Sequence, residues 1–583
     1  MTRQSLYETG VRVSMRDGVM LNASVFRPVA GRVPTLLVRT PYGIDTPRTG
    51  LPGNGAGVPH PTPFVDAGFA VVWVEARGTF GSEGDFRPVV DEAQDGFDTV
   101  EWIVSQPWSD GGVGTYGASY LGIAQWSLAA TGHPAVKAIA PMLTSMDPYD
   151  AVWRHPGGAL SLSAVTSWNA LMALNATIRQ MGLGGSGDAL PAIITGLRDP
   201  SSLSDFTPVR DNPVLAGLRS FDDAVAHPDF DEFWEEQDQR RNISQVRTPA
   251  LSIAGWYDVF IVRQLRDFEL LQSSAATPEA REQSRLIVGP WDHDPDLTGR
   301  FSDHEFGPMA NAAASDLMGE HLRHFGRWLQ GRAEPAASHA VAKLFVMGVD
   351  EWREFSAWPP AESRALPLHL AAAHERRSGT LRLEAPSEMR SAGFTFDPRD
   401  PVPTTGGAQI PASWGFSGPT DQRGLDTRTD IASFTSPPLA EDLEVIGYVS
   451  AALHVRTDAP DTDFTAKLID VHPDGTARVL CDGILRLRYR GGTGDAQPAR
   501  PGEVSEITID MAATANRFTR GHRIRVDVSS SNFPRFDRNT NSGGAIASEA
   551  VADARIAHNE VLTGADRLSR LILPVTSEPS FVS

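Results

Sequence analysis

Cysteine is nearly missing from this chain. Cys481 is the single thiol in 583 residues, so no internal disulfide can form and a cysteine-based zinc site is excluded. Lysine is almost as scarce, with only Lys137, Lys343 and Lys467 among the 52 basic residues, and no basic run interrupts a formal net charge of −20. That balance argues against nucleic acid and against an anionic membrane surface as partners. No apolar run is long enough to cross a bilayer. Residues 1–11 show no basic segment followed by an apolar one, so no signal peptide is expected, and a cytoplasmic location is the default.

What is present is the composition of a globular protein with a proper core, 41% hydrophobic and 21% charged, at a length that predicts two or three domains. Residues 11–26 read as a hairpin around Asp17-Gly18. Residues 34–41 and 69–75 are short, continuously apolar strands of the kind that a sheet buried on both faces requires. Residues 91–105 have helical periodicity. The alternation of strand and helix predicts a doubly wound, mainly parallel sheet. From about 146 to 246 clear strands give way to amphipathic helices, which reads as an inserted helical cap. Apolar strands return at 250–254, 285–288 and 343–347, with a helix over 315–329. After about 354 the chain reads as all-β, with short strands separated by Gly, Pro, Asp and Asn clusters, which suggests a jelly roll. Within it Leu485-Arg486-Leu487-Arg488-Tyr489-Arg490 alternates as a half-exposed strand does. The expected architecture is therefore an α/β-hydrolase core over 1–145 and 247–354, a helical cap over 146–246 and a jelly-roll β-sandwich over 355–583.

The chemistry centres on Gly114-Thr115-Tyr116-Gly117-Ala118-Ser119-Tyr120-Leu121-Gly122, which follows a turn-like run at 108–112 and leads into a helix. A serine at a small-residue corner between strand and helix is a nucleophile elbow, although Leu121 stands where its second glycine usually lies. A side chain at Gly117 or Gly122 would collide with the neighbouring strand or helix. The plainer alternative is an ordinary Gly/Ser turn. A serine hydroxyl needs a base and a group to orient it, in the chain order Ser, Asp or Glu, His. Asp258, in Gly-Trp-Tyr-Asp, and His293, in Gly-Pro-Trp-Asp-His, each follow a buried apolar strand, where such sites belong. The competing readings are a helix N-cap for Asp258 and an ordinary loop histidine for His293. His321 and His324 lie in a helical pattern and read as surface residues. His293 with Asp292 and Asp294 could hold a divalent ion, but no second ligand cluster has the usual spacing. Neither a metal nor a cofactor is expected.

These three stretches resemble the bacterial cocaine-esterase-like hydrolases, which belong with the X-prolyl dipeptidyl peptidases and α-amino-acid ester hydrolases. The likeness continues in Arg39-Thr40-Pro41-Tyr42-Gly43, Ala76-Arg77-Gly78, Leu297-Thr298-Gly299-Arg300, Asp461-Thr462-Asp463-Phe464-Thr465 and Ser529-Ser530-Ser531-Asn532-Phe533-Pro534, so it spans nearly the whole chain. It implies an oxyanion hole made by the Tyr42 hydroxyl and the Tyr120 backbone N–H, and an acyl pocket lined by Trp153, Trp168 and Phe260. It also implies a small-molecule ester as substrate. Two departures stand out. The segment 406–411 lacks the aromatic residue that the cocaine esterase carries there, and the loop 44–63 is unlike it, so cocaine itself is not assumed as substrate. An X-prolyl dipeptidyl aminopeptidase or an α-amino-acid ester hydrolase would need acids to grip an α-ammonium, and Asp222, Asp223, Asp231 and Glu232 form no assignable pattern. Amide hydrolysis, a ligand-binding jelly roll beside an inactive hydrolase domain, and association into a homodimer stay open.

Overall fold

Residues 5–44, 58–294, 296–333, 340–373, 377–410 and 417–582 are described by the computed structural model. The first sheet contains β1 (Ser5–Ser14), β2 (Met20–Pro28), β3 (Val33–Thr40), β4 (Ala70–Glu75), β5 (Ser109–Ala118), β6 (Val136–Met142), β7 (Leu251–Gly255), β8 (Arg285–Gly289), β9 (Ala342–Val346) and β10 (Glu351–Phe355). Their order across it is β1-β2-β4-β3-β5-β6-β7-β8-β9-β10. β3 to β9 are parallel, whereas the β1–β2 hairpin and β10 add antiparallel edges. β4 and β7 are buried at every position because helices cover both faces. Alternate residues of β3 divide between the two layers. Leu36 and Val38 join Phe64 and Phe325 in one cluster, and Leu37 joins Val100, Ile103 and Leu128 in the other. The winding reverses between β3 and β5, which leaves a crevice at the carboxyl ends of the strands.

Two expectations are corrected here. Residues 109–112 are not a turn but the start of β5. Gly112 and Gly114 let the helix Leu317–Gln330 lie directly on the strand. A Cβ at Gly114 would sit 2.9 Å from Phe325, and one at Gly112 would sit 3.3 Å from Leu329. The same packing buries His321 and His324, which are not surface residues. His324 Nε2 donates to the Ile139 carbonyl of β6 at 3.1 Å, and His321 Nδ1 donates to Leu317 O at 2.9 Å. One helical face carries Leu317, His321, His324 and Phe325 inward.

Between β6 and β7 the described chain is helical apart from an isolated bridge, with the 21-residue Leu162–Gly182 as its longest element. This inserted region has its own apolar cluster, which includes Tyr149, Leu162, Phe221 and Trp234. Beyond β10 the chain is β-rich, and its described strands form a second sheet system of eleven. The pair Leu443–Thr457 and Val504–Phe518 forms its spine, and burial alternates along the first of these strands as one-sided packing demands. Residues 485–490, however, are not a half-exposed strand. The strand Ala477–Arg486 is buried to its end, and a short helical turn, Leu487–Tyr489, follows. Arg486 can be buried because Asp463 and Asp537 neutralise it, at 3.0 and 2.7 Å.

The two halves share one core, which runs from Ala254, Trp256 and Phe345 to Leu443 and Val526. The β-rich half also grips the inserted region. Arg486 N–H donates to Gly157 O at 2.9 Å, and a Cβ at Gly157 would sit 2.0 Å from Ile484 O. Leu160 N–H donates to Asp537 Oδ1 at 2.9 Å. Among the described residues no helix is long and apolar enough to cross a membrane.

Candidate active site

Ser119 occupies the corner between β5 and α3 (Tyr120–Ala129) at φ 61° and ψ −126°. A residue other than glycine in this region carries strain of about 1–3 kcal/mol, so its surroundings must impose the conformation. Ser119 N–H donates to Met142 O at 2.9 Å, and Thr144 Oγ1 donates to Ser119 O at 2.8 Å. Both glycines of the motif are required by contact. A Cβ at Gly117 would meet Leu121 at 2.8 Å, and one at Gly122 would meet the Thr144 methyl at 2.3 Å.

The two loops proposed to meet this corner do so. The Ser119 hydroxyl lies 3.0 Å from His293 Nε2, and His293 Nδ1 lies 2.5 Å from Asp258 Oδ2. Asp258 is fully buried. Its other oxygen accepts the Phe260 N–H at 2.8 Å, but the N-cap of the following helix is Phe260 and not Asp258. Burial alone would lower the pKa of His293. The charge and hydrogen bond of Asp258, helped by Asp292 and Asp294, outweigh burial and raise it above the ordinary histidine value. Burial also raises the Asp292 carboxyl, to about 6, while Ser417 from the β-rich half donates to it.

Tyr42 follows β3, and its phenol is within hydrogen-bonding reach of Ser119. Burial pushes that phenol up to about 12, although its hydrogen bonds with Trp168 and Ser119 oppose the shift. Tyr120 begins α3, where a helix leaves its first N–H groups without an internal acceptor. Its side chain points away from the reaction, with the hydroxyl donating to Glu92 Oε1 at 2.8 Å and accepting from Val89 N–H at 3.1 Å. Glu92 opens α2 (Glu92–Ser105) and pairs with Arg39 of β3 at 2.7 Å. Burial raises the Glu92 carboxyl, and the Arg39 charge opposes that shift.

Trp168, Trp153 and Phe260 surround the same corner. The Trp168 ring stacks on Tyr120 at 6.2 Å and meets Trp153 edge-on at 5.3 Å, while Phe260 lies 5.5 Å from the His293 ring. Ile410 packs against Ala151, Val259 and Phe260. An aliphatic side chain from the segment that lacks the aromatic therefore packs against the cluster that contains Phe260. Residue 411 and residues 45–57 of the other divergent loop lie outside the described residues.

The Arg39–Glu92–Tyr120 network was not foreseen from sequence. One signal for it was there, in Gly96 within a helix. A Cβ at Gly96 would sit 2.8 Å from Arg39 Nη1, so the glycine makes room for the guanidinium. Among the described residues one group has ligand atoms close enough for a metal ion: Asp470, His472 and His522, within 4.8 Å of one another in the β-rich half. There Asp470 Oδ1 already accepts from His522 Nδ1 at 2.8 Å.

Residues 17–295 match the X-Pro dipeptidyl-peptidase (S15) family, and residues 336–572 match the X-Pro dipeptidyl-peptidase C-terminal non-catalytic domain. The cocaine esterase of Rhodococcus sp. (strain MB1 Bresler) is 40% identical over 575 residues, covering 97% of this chain and 98% of that protein. An aminopeptidase from the marine sediment archaeon Thaumarchaeota archaeon shares the fold with a TM-score of 0.81 at 25% identity, over 99% of this chain and 97% of that one. A CocE/NonD family hydrolase from Staphylococcus aureus does so with a TM-score of 0.72 at 21% identity, over 98% and 94%.

Proposed function

The chain belongs to the cocaine-esterase-like hydrolases of the X-Pro dipeptidyl-peptidase (S15) family, and on that premise we propose that it is a serine carboxylesterase acting on small aryl or short-chain acyl esters. The observation that carries this reading is the continuous contact from Ser119 Oγ through His293 to Asp258. In the proposed reaction Ser119 attacks the acyl carbonyl and His293 Nε2 takes its proton. Asp258 holds the imidazole in the tautomer that leaves Nε2 free and stabilises the imidazolium. The Tyr42 hydroxyl and the Tyr120 N–H receive the oxyanion, each worth about 3 kcal/mol if it behaves as such donors do. His293 then protonates the leaving alcohol, and a water molecule activated by the same imidazole releases the acid and restores Ser119. Trp153, Trp168 and Phe260 would enclose a flat acyl group. The same reading divides the chain at about 145/146, 246/247 and 354/355.

Three of the four acids considered for an α-ammonium are engaged elsewhere. Asp231 caps Phe233 N–H at 3.1 Å and meets His227 at 2.6 Å. Asp222 accepts from Gly217 N–H at 3.2 Å, and Asp223 lies 3.6 Å from Arg219. This favours neutral acyl esters over amino-terminal peptides. Replacing Ser119 with alanine should lower kcat for phenyl acetate by roughly four to six orders of magnitude with the fold intact. Retained turnover in that variant would refute the nucleophile assignment. Turnover of Gly-Pro-anilide without ester cleavage would move the assignment to a peptidase.

A further inference from the structure

Trp168 makes a contact that a pocket wall does not need. Its indole Nε1–H donates to the Tyr42 hydroxyl at 3.0 Å. Indole is a donor only, a phenol has one proton to give, and an ionised carboxylate only accepts. The Tyr42 oxygen that receives the Trp168 N–H must therefore send its own proton elsewhere, and Ser119 is the partner within reach. The Ser119 proton is in turn directed to His293 Nε2 at 3.0 Å, and the His293 Nδ1 proton to Asp258 at 2.5 Å. The chain Trp168, Tyr42, Ser119, His293, Asp258 begins at a group that can only give and ends at one that can only take. With the Ser119 proton committed to His293, the phenol can meet Ser119 only as a donor.

We propose that Trp168 is a positioning residue for Tyr42, whose indole N–H fixes the phenol as a donor toward the Ser119 side of the site, where the oxyanion forms. Trp168 is held for this task by the stack on Tyr120 and the edge contact with Trp153. Tyr42 is held by its own N–H, which donates to Thr40 Oγ1 at 3.1 Å. A hydroxyl that already accepts one hydrogen bond is a stronger donor in the next, which favours the developing anion further. The helix that lines the acyl pocket thus also sets the orientation of an oxyanion donor belonging to the sheet domain. This rests on the oxyanion role given to Tyr42 above.

The test is a cycle of Tyr42→Phe and Trp168→β-(3-benzothienyl)alanine, the second replacing N–H by sulfur at nearly constant shape, read with phenyl acetate and with phenylboronic acid as a mimic of the tetrahedral state. Tyr42→Phe should cost roughly 100-fold in kcat. The sulfur analogue should cost about 5- to 10-fold in kcat, the effect of one hydrogen bond, with KM within about threefold and boronate affinity reduced by a similar factor. In the Tyr42→Phe background the same replacement should cost less than about twofold. If the sulfur analogue is fully active while Tyr42→Phe is impaired, or if its loss is equally large without the phenol, the positioning role is wrong and the oxyanion role survives. If Tyr42→Phe is itself fully active, both fall together.

Discussion

The loop after β8 and the helix Leu317–Gln330 each bury histidine against the same sheet, with opposite results. His324 is enclosed by apolar side chains and the Ile139 carbonyl. Burial first, then the nearby His321, Arg285 and Arg327, lower its pKa to about 3, so it stays neutral. His293 is also enclosed, yet its pKa is raised because the carboxylate of Asp258 faces it. Burial therefore does not make a base, and neither does the imidazole. The raised pKa that the proposed base needs comes from Asp258, on the loop after β7, whose end lies beside that of β8.

Asp258→Asn is the most damaging way to erase this difference. It removes the charge but keeps the shape, and should lower kcat roughly ten-thousandfold by disturbing the tautomer. It should also drop the pKa of His293 below the ordinary value, toward that of His324, as a histidine NMR titration would show. A next, smaller effect is the acid limb of the wild-type rate. His293 must be neutral to accept the proton of Ser119, so kcat/KM should fall about tenfold per pH unit once pH drops below its raised pKa. The inflection should lie above pH 6.5, and an inflection below it would deny Asp258 its influence. In stability terms this raised pKa contributes below pH 6.5 and is lost as pH rises through the folded value.

His324 works with the opposite sign. Its folded pKa is depressed, so between pH 6.5 and about 3 the unfolded chain binds the extra proton and stability is lost as pH falls. His324→Gln, which can still donate to Ile139, should lower Tm by a few degrees at pH 7 and leave phenyl acetate turnover within about twofold. On acidification to pH 5 the deficit should shrink. A deficit that grows instead would mean that His324 is charged in the folded protein.

Much of this was legible in the amino-acid order. The elbow, Asp258 and His293 follow strands whose apolar runs are unmistakable, and the need for glycine at 117 is a matter of local sterics, whereas at 122 it comes from Thr144 on the next strand's loop. What stayed hidden depends on long-range packing. Gly112, in a run that looks like a turn, is explained only once Leu329 is known to lie against the strand. His324 looks exposed because its helix also carries Glu320, Arg323 and Arg327, whereas the fold lays its face on β6. Arg486 looks like the outer half of an alternating strand until Asp463 and Asp537 arrive from distant segments. The buried Arg39–Glu92–Tyr120 set has the same origin, since Gly96 marks a close approach on its helix without saying that a guanidinium makes it.

One small residue bears on how this protein could be cut down. Gly157 lies where the carbonyl of Ile484 presses so closely that no larger residue fits, four positions after Trp153. Removing the carboxyl-terminal half would strip that support from the loop after Trp153, a proposed wall of the acyl pocket, even though Ser119, Asp258 and His293 all lie upstream. Trimming the chain to the first sheet and the inserted region should therefore deform that loop, for which the β-rich half serves as the mould.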